Sequence, residues 1–209
     1  MASPESPQHA APAVAVPLLD ALLRTSTAHH VGSPMDQLST LDSATSWLSR
    51  ALPQADQTEQ AALTIHLRQT DLEPLRALRE TLRQTLRADR PRTQADAAEF
   101  EAEVQLRWSP TSGLVTRPLK AGWEAVASLI TVELVIADAN GSLRRVKTCA
   151  RAECGYPFTD HSRNVSRMWH DADTCGNIIN LRASRARKTA AATPSSWSPA
   201  PASGTCCSG

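Results

Sequence analysis

Aromatic side chains are scarce in this chain: 209 residues include two Phe, five Trp and one Tyr. Leucine and alanine must therefore do most of the packing, and both are good helix formers. Hydrophobic residues still make up 41% of the sequence, enough for a core. Long apolar runs are also missing. None approaches the roughly 20 residues that span a bilayer, so no membrane association is expected. The first thirteen residues are rich in Pro, Ala and Ser, without a basic stretch leading into an apolar one. That argues against export and for a cytoplasmic protein with a disordered tail at 1–13. Glycine is sparse and nowhere builds a phosphate-cradling loop, and no nucleophile motif occurs, so an enzyme is not expected.

Cysteine numbers only five, and three fall in one stretch, Arg144 to Lys188. Cys149, Cys154, His170 and Cys175 give C-x4-C, fifteen intervening residues, then H-x4-C. These are two close pairs of soft ligands, far enough apart to fold back on each other. Three thiolates and one imidazole suit a single structural Zn2+ held tetrahedrally. Buried thiols or a disulfide are the alternatives; a disulfide would want an oxidising compartment. Zinc with four protein ligands keeps no open position for water, and the neighbours Asp160 and His161 do not make a dyad by adjacency alone.

Around the four ligands, Gly155, Phe158, Asp160, Ser162, Arg163, Asn164, Arg167, Trp169, Gly176 and Asn177 stand at fixed intervals. The run resembles the CGNR zinc finger, the C-terminal module of bacterial proteins whose N-terminal part is called the ABATE domain. Members read C-x4-C-G-x-x-F-x-D-x-S-(R/K)-N-x-x-R-x-W-C-x4-C-G-N-R. Two positions depart here: His170 replaces the third cysteine, and Ile178 replaces the closing arginine. The first keeps a competent ligand, whereas the second removes a cation. Resemblance in the N-terminal half is looser, confined to PLLDALLRT after Val16 and to ALRETLR in 77–83. It implies a DNA-binding bacterial transcription regulator with an N-terminal domain that senses a signal or pairs in a homodimer. RNA binding is the alternative, and a finger that contacts only proteins is a third reading.

The remaining elements are read from pattern. Pro17 opens a helix with Leu18, Leu19, Leu22 and Leu23. His29 and His30 follow in a loop, with no other ligand spacing around them. A second helix starts near Leu41 and stops at Pro53; a third is expected from about Thr58 to Thr70, with Leu63, Ile65 and Leu67. Asp71 then caps a helix whose Leu75, Leu78, Leu82 and Leu86 make one face. Arg76, Arg79, Arg83 and Arg87 form a second stripe, which reads as a solvated face paired to Glu73 and Glu80 or as a phosphate contact. Val104–Trp108 and Gly113–Arg117 alternate as a β-hairpin. A longer helix over 120–139 buries Trp123, Val126, Ala127, Ile130 and Leu134, and Asn140-Gly141 closes it.

The fold class expected is therefore mainly α (α+β). A helical, ABATE-like domain with a small hairpin occupies 14–141, a treble-clef-like zinc module 142–188, and a disordered tail 189–209. The tail's Cys206 and Cys207 are not expected to be ligands. Charge divides the same way. Arg144–Lys188 holds ten Lys/Arg against four Asp/Glu, so an overall net charge of +1 conceals a basic module on an acidic body. Such a cluster is the footprint of phosphate binding, or of an acidic protein partner. Arg182, Arg185, Arg187 and Lys188 would project from a helix that starts after Cys175, with Ile178, Ile179 and Leu181 on the zinc core. Arg163 and Arg167 would share one face of a short helix starting at Ser162. Phe158 and Trp169 read as core, and Tyr156 as the residue best placed to stack on a base.

Overall fold

The computed structural model describes residues 16–26, 36–52, 65–89, 101–111 and 113–192. The chain divides into two compact units, Met1–His170 and Asp171–Gly209. The expected tail at 1–13 and the His29–His30 pair lie outside the described residues. No helix among them is long and apolar enough to cross a membrane.

Among the described residues of the first unit, four helices build the core: α1 (Pro17–Leu23), α2 (Leu41–Ala51), α3 (Leu72–Thr85) and α4 (Gly122–Ala139). Seven residues are too few for a helix to hold itself together in water, so α1 depends on its surroundings. Leu18, Leu19, Leu22 and Leu23 are all buried against the other helices. Its orphan amide donors are satisfied from α4, where the Glu133 carboxylate accepts from Leu18 N and Leu19 N, each at 2.9 Å. Burial raises the Glu133 carboxyl above its usual range, against the pull of those two bonds. Helix α2 opens with a reciprocal Thr40–Ser43 capping box and ends at Leu52, held extended ahead of Pro53.

The helix expected over 58–70 is not there in its described part. Residues 65–68 are irregular, with Arg68 extended, and a single 3-10 turn at Gln69–Asp71 leads into α3. Ile65 and Leu67 are half-buried while His66 and Arg68 are exposed, the two-residue alternation of an extended chain. Their packing on the core needs no helix.

The Leu75–Leu78–Leu82 face of α3 is buried as expected. The expected Glu73–Arg76 and Glu80–Arg83 pairs are also present. Beyond Arg76, however, the arginines form neither a solvated face nor a phosphate stripe. Arg79 is 4% exposed and forks onto both Asp36 oxygens at 2.7 Å, with Thr25 Oγ1 a further 2.9 Å acceptor. Arg83 donates to the carbonyls of Leu23 and Ser26, closing the C-terminal end of α1. Arg87 pairs with Asp89 and reaches Ala150 O at 2.8 Å.

Strands β1 (Val104–Ser109) and β2 (Gly113–Pro118) form the expected antiparallel hairpin, Trp108 opposite Leu114. Gly122 then starts α4 at φ +61°, and a Cβ there would stand 2.7 Å from the Asp71 carboxylate oxygens. Only glycine fits. Val126, Ala127 and Ile130 of α4 are buried, Trp123 and Leu134 pack alongside, and Gly141 at φ +71° follows the C-terminal turn.

A second antiparallel pair, β3 (Val146–Thr148) and β4 (Pro157–Thr159), completes this unit. β3 is bonded to the chain leaving α3. Thr148 N donates to Leu86 O at 2.8 Å, Ala88 N to Thr148 O at 3.0 Å, and Thr148 Oγ1 to Arg83 O at 2.7 Å.

In the second unit, Asp171 accepts from Asp173 N and Thr174 N, opening a π-type turn at Ala172–Gly176. That turn runs directly into α5 (Asn177–Ala192). The helix thus continues through 189–192, where a disordered tail was expected, since Thr-Ala-Ala-Ala carries no breaker before Pro194. Residues 193–209, with Cys206 and Cys207, lie outside the described residues. Among the described residues, five helices, two small antiparallel pairs and a Cys/His cluster match the fold class read from the sequence.

Candidate metal centre

The first ligand pair sits on the turn between β3 and β4. Cys149 N donates to Tyr156 O at 2.9 Å, and Cys154 N to Arg151 O at 2.9 Å. Gly155 carries the chain out of that turn at φ +57°, a conformation that penalises any Cβ. Ala150 N then binds Met168 O at 2.9 Å, which returns the later chain to the knuckle and sets His170 beside it. The Nδ1 of His170 is 3.5 Å from Cys154 Sγ, and its ring lies 4.8 Å from that of Tyr156.

Between β4 and His170 the chain is shaped by a buried ion pair. Asp160, with no exposed surface, accepts from Lys147 Nζ (2.8 Å), Arg167 N (2.8 Å), Ser162 N (2.9 Å) and Ser162 Oγ (2.6 Å). Lys147 Nζ also donates to Val165 O at 2.6 Å and Arg167 O at 3.1 Å. Arg145 donates to Asp160 O at 2.8 Å and Ser162 O at 3.1 Å. Burial would raise the Asp160 carboxyl, but the bonds from Lys147, Ser162 and Arg167 hold it well below the usual carboxylate range. The short helix expected from Ser162 is therefore absent: residues 162–165 form a turn, with Val165 at φ +51°. Amides and carbonyls that a helix would pair with each other are taken by Asp160, Lys147 and Arg145.

Cys175 comes from the π-type turn, its N donating to Asp171 O at 3.2 Å. The ligand atoms of Cys149, Cys154, His170 and Cys175 all lie within 4.8 Å of one another. A tetrahedral zinc with bonds of about 2.3 Å to sulfur separates its ligand atoms by about 3.8 Å, so the spacing fits. The three cysteines are buried free thiols, and His170 is half-buried. The Cys149 thiol is lowered to about 4, first by the Cys154 sulfur, with His170 and the Arg151 amide adding to it against burial. A thiolate-ready sulfur in a buried N/S set is what zinc requires. Bound there, zinc supplies a four-ligand crosslink, and the chain's own residues do the orienting. Arg83 of α3 and Arg87, just beyond its C-terminal end, add positive charge beside Cys154 and Cys149, respectively. This offsets the excess negative charge of three thiolates around a divalent ion.

Arg163, Arg182, Arg185, Arg187 and Lys188 are all exposed. Arg167 is exposed too, but it is engaged: one guanidinium nitrogen donates to His170 O at 2.8 Å, and the group stacks over Phe158 at 5.6 Å. Phe158, Trp169, Ile178 and Ile179 are half-buried, whereas Leu181, expected on the zinc core, is 55% exposed. Tyr156 is covered by the Arg24 guanidinium at 4.4 Å, so a base-stacking role does not suit it. Sequence reasoning passed over Arg145, Lys147 and Thr148. Their only signal was a basic, β-prone run just ahead of Cys149.

Three thiols and an imidazole gathered on a β-knuckle and at a helix start define a closed zinc module of treble-clef character. Residues 145–188 match the family model of the CGNR zinc finger. No curated protein matches the chain.

Proposed function

We propose that the zinc module binds duplex DNA and that the protein acts as a bacterial transcription regulator, its N-terminal helices serving for sensing or for pairing in a homodimer. The observation carrying this reading is the exposed basic surface of α5. Arg182, Arg185 and Lys188 recur every three residues along one side. Arg187 follows Arg185 by two, which at about 100° per residue puts it roughly 160° around the helix. A helix in the major groove meets a phosphate backbone on each flank, and cations on both sides answer that geometry. Arg163, on its rigid turn, adds another exposed cation. The four-ligand zinc site is structural in this reading, because it leaves no position for a reacting water.

The test is a selection on the zinc-loaded full-length protein against mixed randomised duplex DNA and single-stranded RNA at near-physiological salt. Enrichment of a duplex motif is the expected result, and a palindrome within it indicates a dimer. Replacing Arg182, Arg185 and Arg187 with Ala should leave zinc bound and flatten the salt dependence by roughly 0.9 in log–log slope for each phosphate no longer neutralised. RNA enrichment, or no enrichment from either pool, overturns the duplex reading; the latter sends the basic face to an acidic protein partner.

A further inference from the structure

A cleft of about 320 Å³ opens between α1 and the β3–β4 hairpin, lined by Val16, Pro17, Leu23, Pro157 and Phe158, with Asp20 and Thr159 as its polar groups. An apolar cavity of roughly 150 Å³ takes benzene, so this one has room for a ring with a short side chain. Asp20 is the only charged residue among the described residues of the lining. Its present partner is Arg24, four residues on, in a pair about two-fifths exposed on both sides. Such exposed pairs contribute little, about 0–1 kcal/mol, so an incoming cation can take the carboxylate.

Both walls of the cleft lead to the zinc-ligand histidine. On the α1 side, the Arg24 guanidinium paired to Asp20 also lies 4.4 Å over the Tyr156 ring, which packs 4.8 Å from the His170 ring. On the β4 side, Phe158 carries Arg167 stacked at 5.6 Å, and Arg167 holds His170 O at 2.8 Å. We infer that the cleft is a binding site for a small hydrophobic amine, whose ammonium displaces Arg24 from Asp20 and so loosens the packing that holds His170. The ligand contributes a ring to Phe158, Pro157 and Leu23, and a charge to Asp20. Nothing in the zinc site itself is touched.

Benzylamine is the probe and benzyl alcohol its neutral counterpart, titrated calorimetrically into the zinc-loaded full chain. Charge-assisted bonding to Asp20 should make the amine bind roughly tenfold tighter than the alcohol. Asp20→Asn should erase that preference, and Thr159→Phe, which fills the cleft and leaves the carboxylate, should weaken both compounds. Zinc content and helical circular dichroism verify that each variant is folded. Saturating amine should also speed zinc transfer to a chromophoric chelator roughly fivefold, the lower range of ordinary coupling between sites. Equal binding of amine and alcohol by the wild type overturns the ligand class, undiminished binding by Thr159→Phe overturns the site, and an unchanged transfer rate overturns the link to His170. None of these readouts involves nucleic acid, so they stand apart from the DNA reading.

Discussion

Removing the charge at Asp160 should be among the most damaging single changes outside the zinc ligands. The carboxylate is fully buried and takes four hydrogen bonds, one of them from the Lys147 ammonium at 2.8 Å. Asp160→Ala strips all four donors of their acceptor and leaves a nearly buried ammonium with only the Val165 and Arg167 carbonyls. Breaking one side of a buried pair costs about 3–5 kcal/mol, a large share of an ordinary domain's 5–15 kcal/mol. Lys147→Met should cost less, because Asp160 keeps the Ser162 and Arg167 donors. The double variant Asp160→Ala/Lys147→Met should recover about 1.5–3 kcal/mol relative to the sum of its single changes. Denaturant unfolding of the zinc-loaded chain at fixed free zinc measures all of these. A cost below about 1 kcal/mol for Asp160→Ala, or strict additivity in the cycle, would refute the role given to this pair.

Ligand identity is testable by metal content: His170→Ala should lose zinc, while His161→Ala, an exposed residue outside the cluster, should keep one zinc per chain. Equal zinc content in the two variants counts against the assignment. The Asp36–Arg79 pair predicts a pH dependence away from the metal. Burial raises Asp36, but the hydrogen bonds from Arg79 and the Leu38 amide outweigh it, so its carboxyl lies below the usual value. A depressed carboxylate contributes stability that is complete above its unfolded pKa of about 3.9 and is lost as pH falls through the folded value. The destabilisation caused by Asp36→Asn should therefore shrink as unfolding is measured from pH 6 down through pH 4 and below; a constant difference over that window contradicts the pairing.

What was legible in the sequence were patterns that do not depend on a distant partner. The Leu75–Leu78–Leu82 face of α3 follows from a 3.6-residue period, the hairpin from alternation, and the metal ligands from spacing among rare residue types. The arginine stripe on α3 has the same period, yet its fate was hidden. Arg79 meets Asp36 across 43 residues, Arg83 meets carbonyls 57 and 60 residues away, and Arg87 meets Ala150 across 63. Periodicity reports which residues share a face and is silent on what covers it. Ile65 and Leu67 show the converse error, where spacing two apart in a Leu-rich context looked helical and was an extended edge on the core. At Ser162 local propensity gave way to the long-range demands of Asp160 and Lys147.

Those hidden contacts change how the zinc site must be understood. A free finger of about forty residues owes its fold to the metal, because it buries too little surface alone. Here the strand leading into Cys149 is bonded through Thr148 to Leu86, Ala88 and Arg83, and the knuckle's Ala150 carbonyl is held by Arg87. The first ligand pair and His170 belong to the same compact unit as the helical core. Part of the ordering cost of the site is thus already met by folding of that core, and by reciprocity zinc must stabilise the core in return. A change in packing around α3 therefore reaches the metal ligands through bonded backbone rather than across a loose linker.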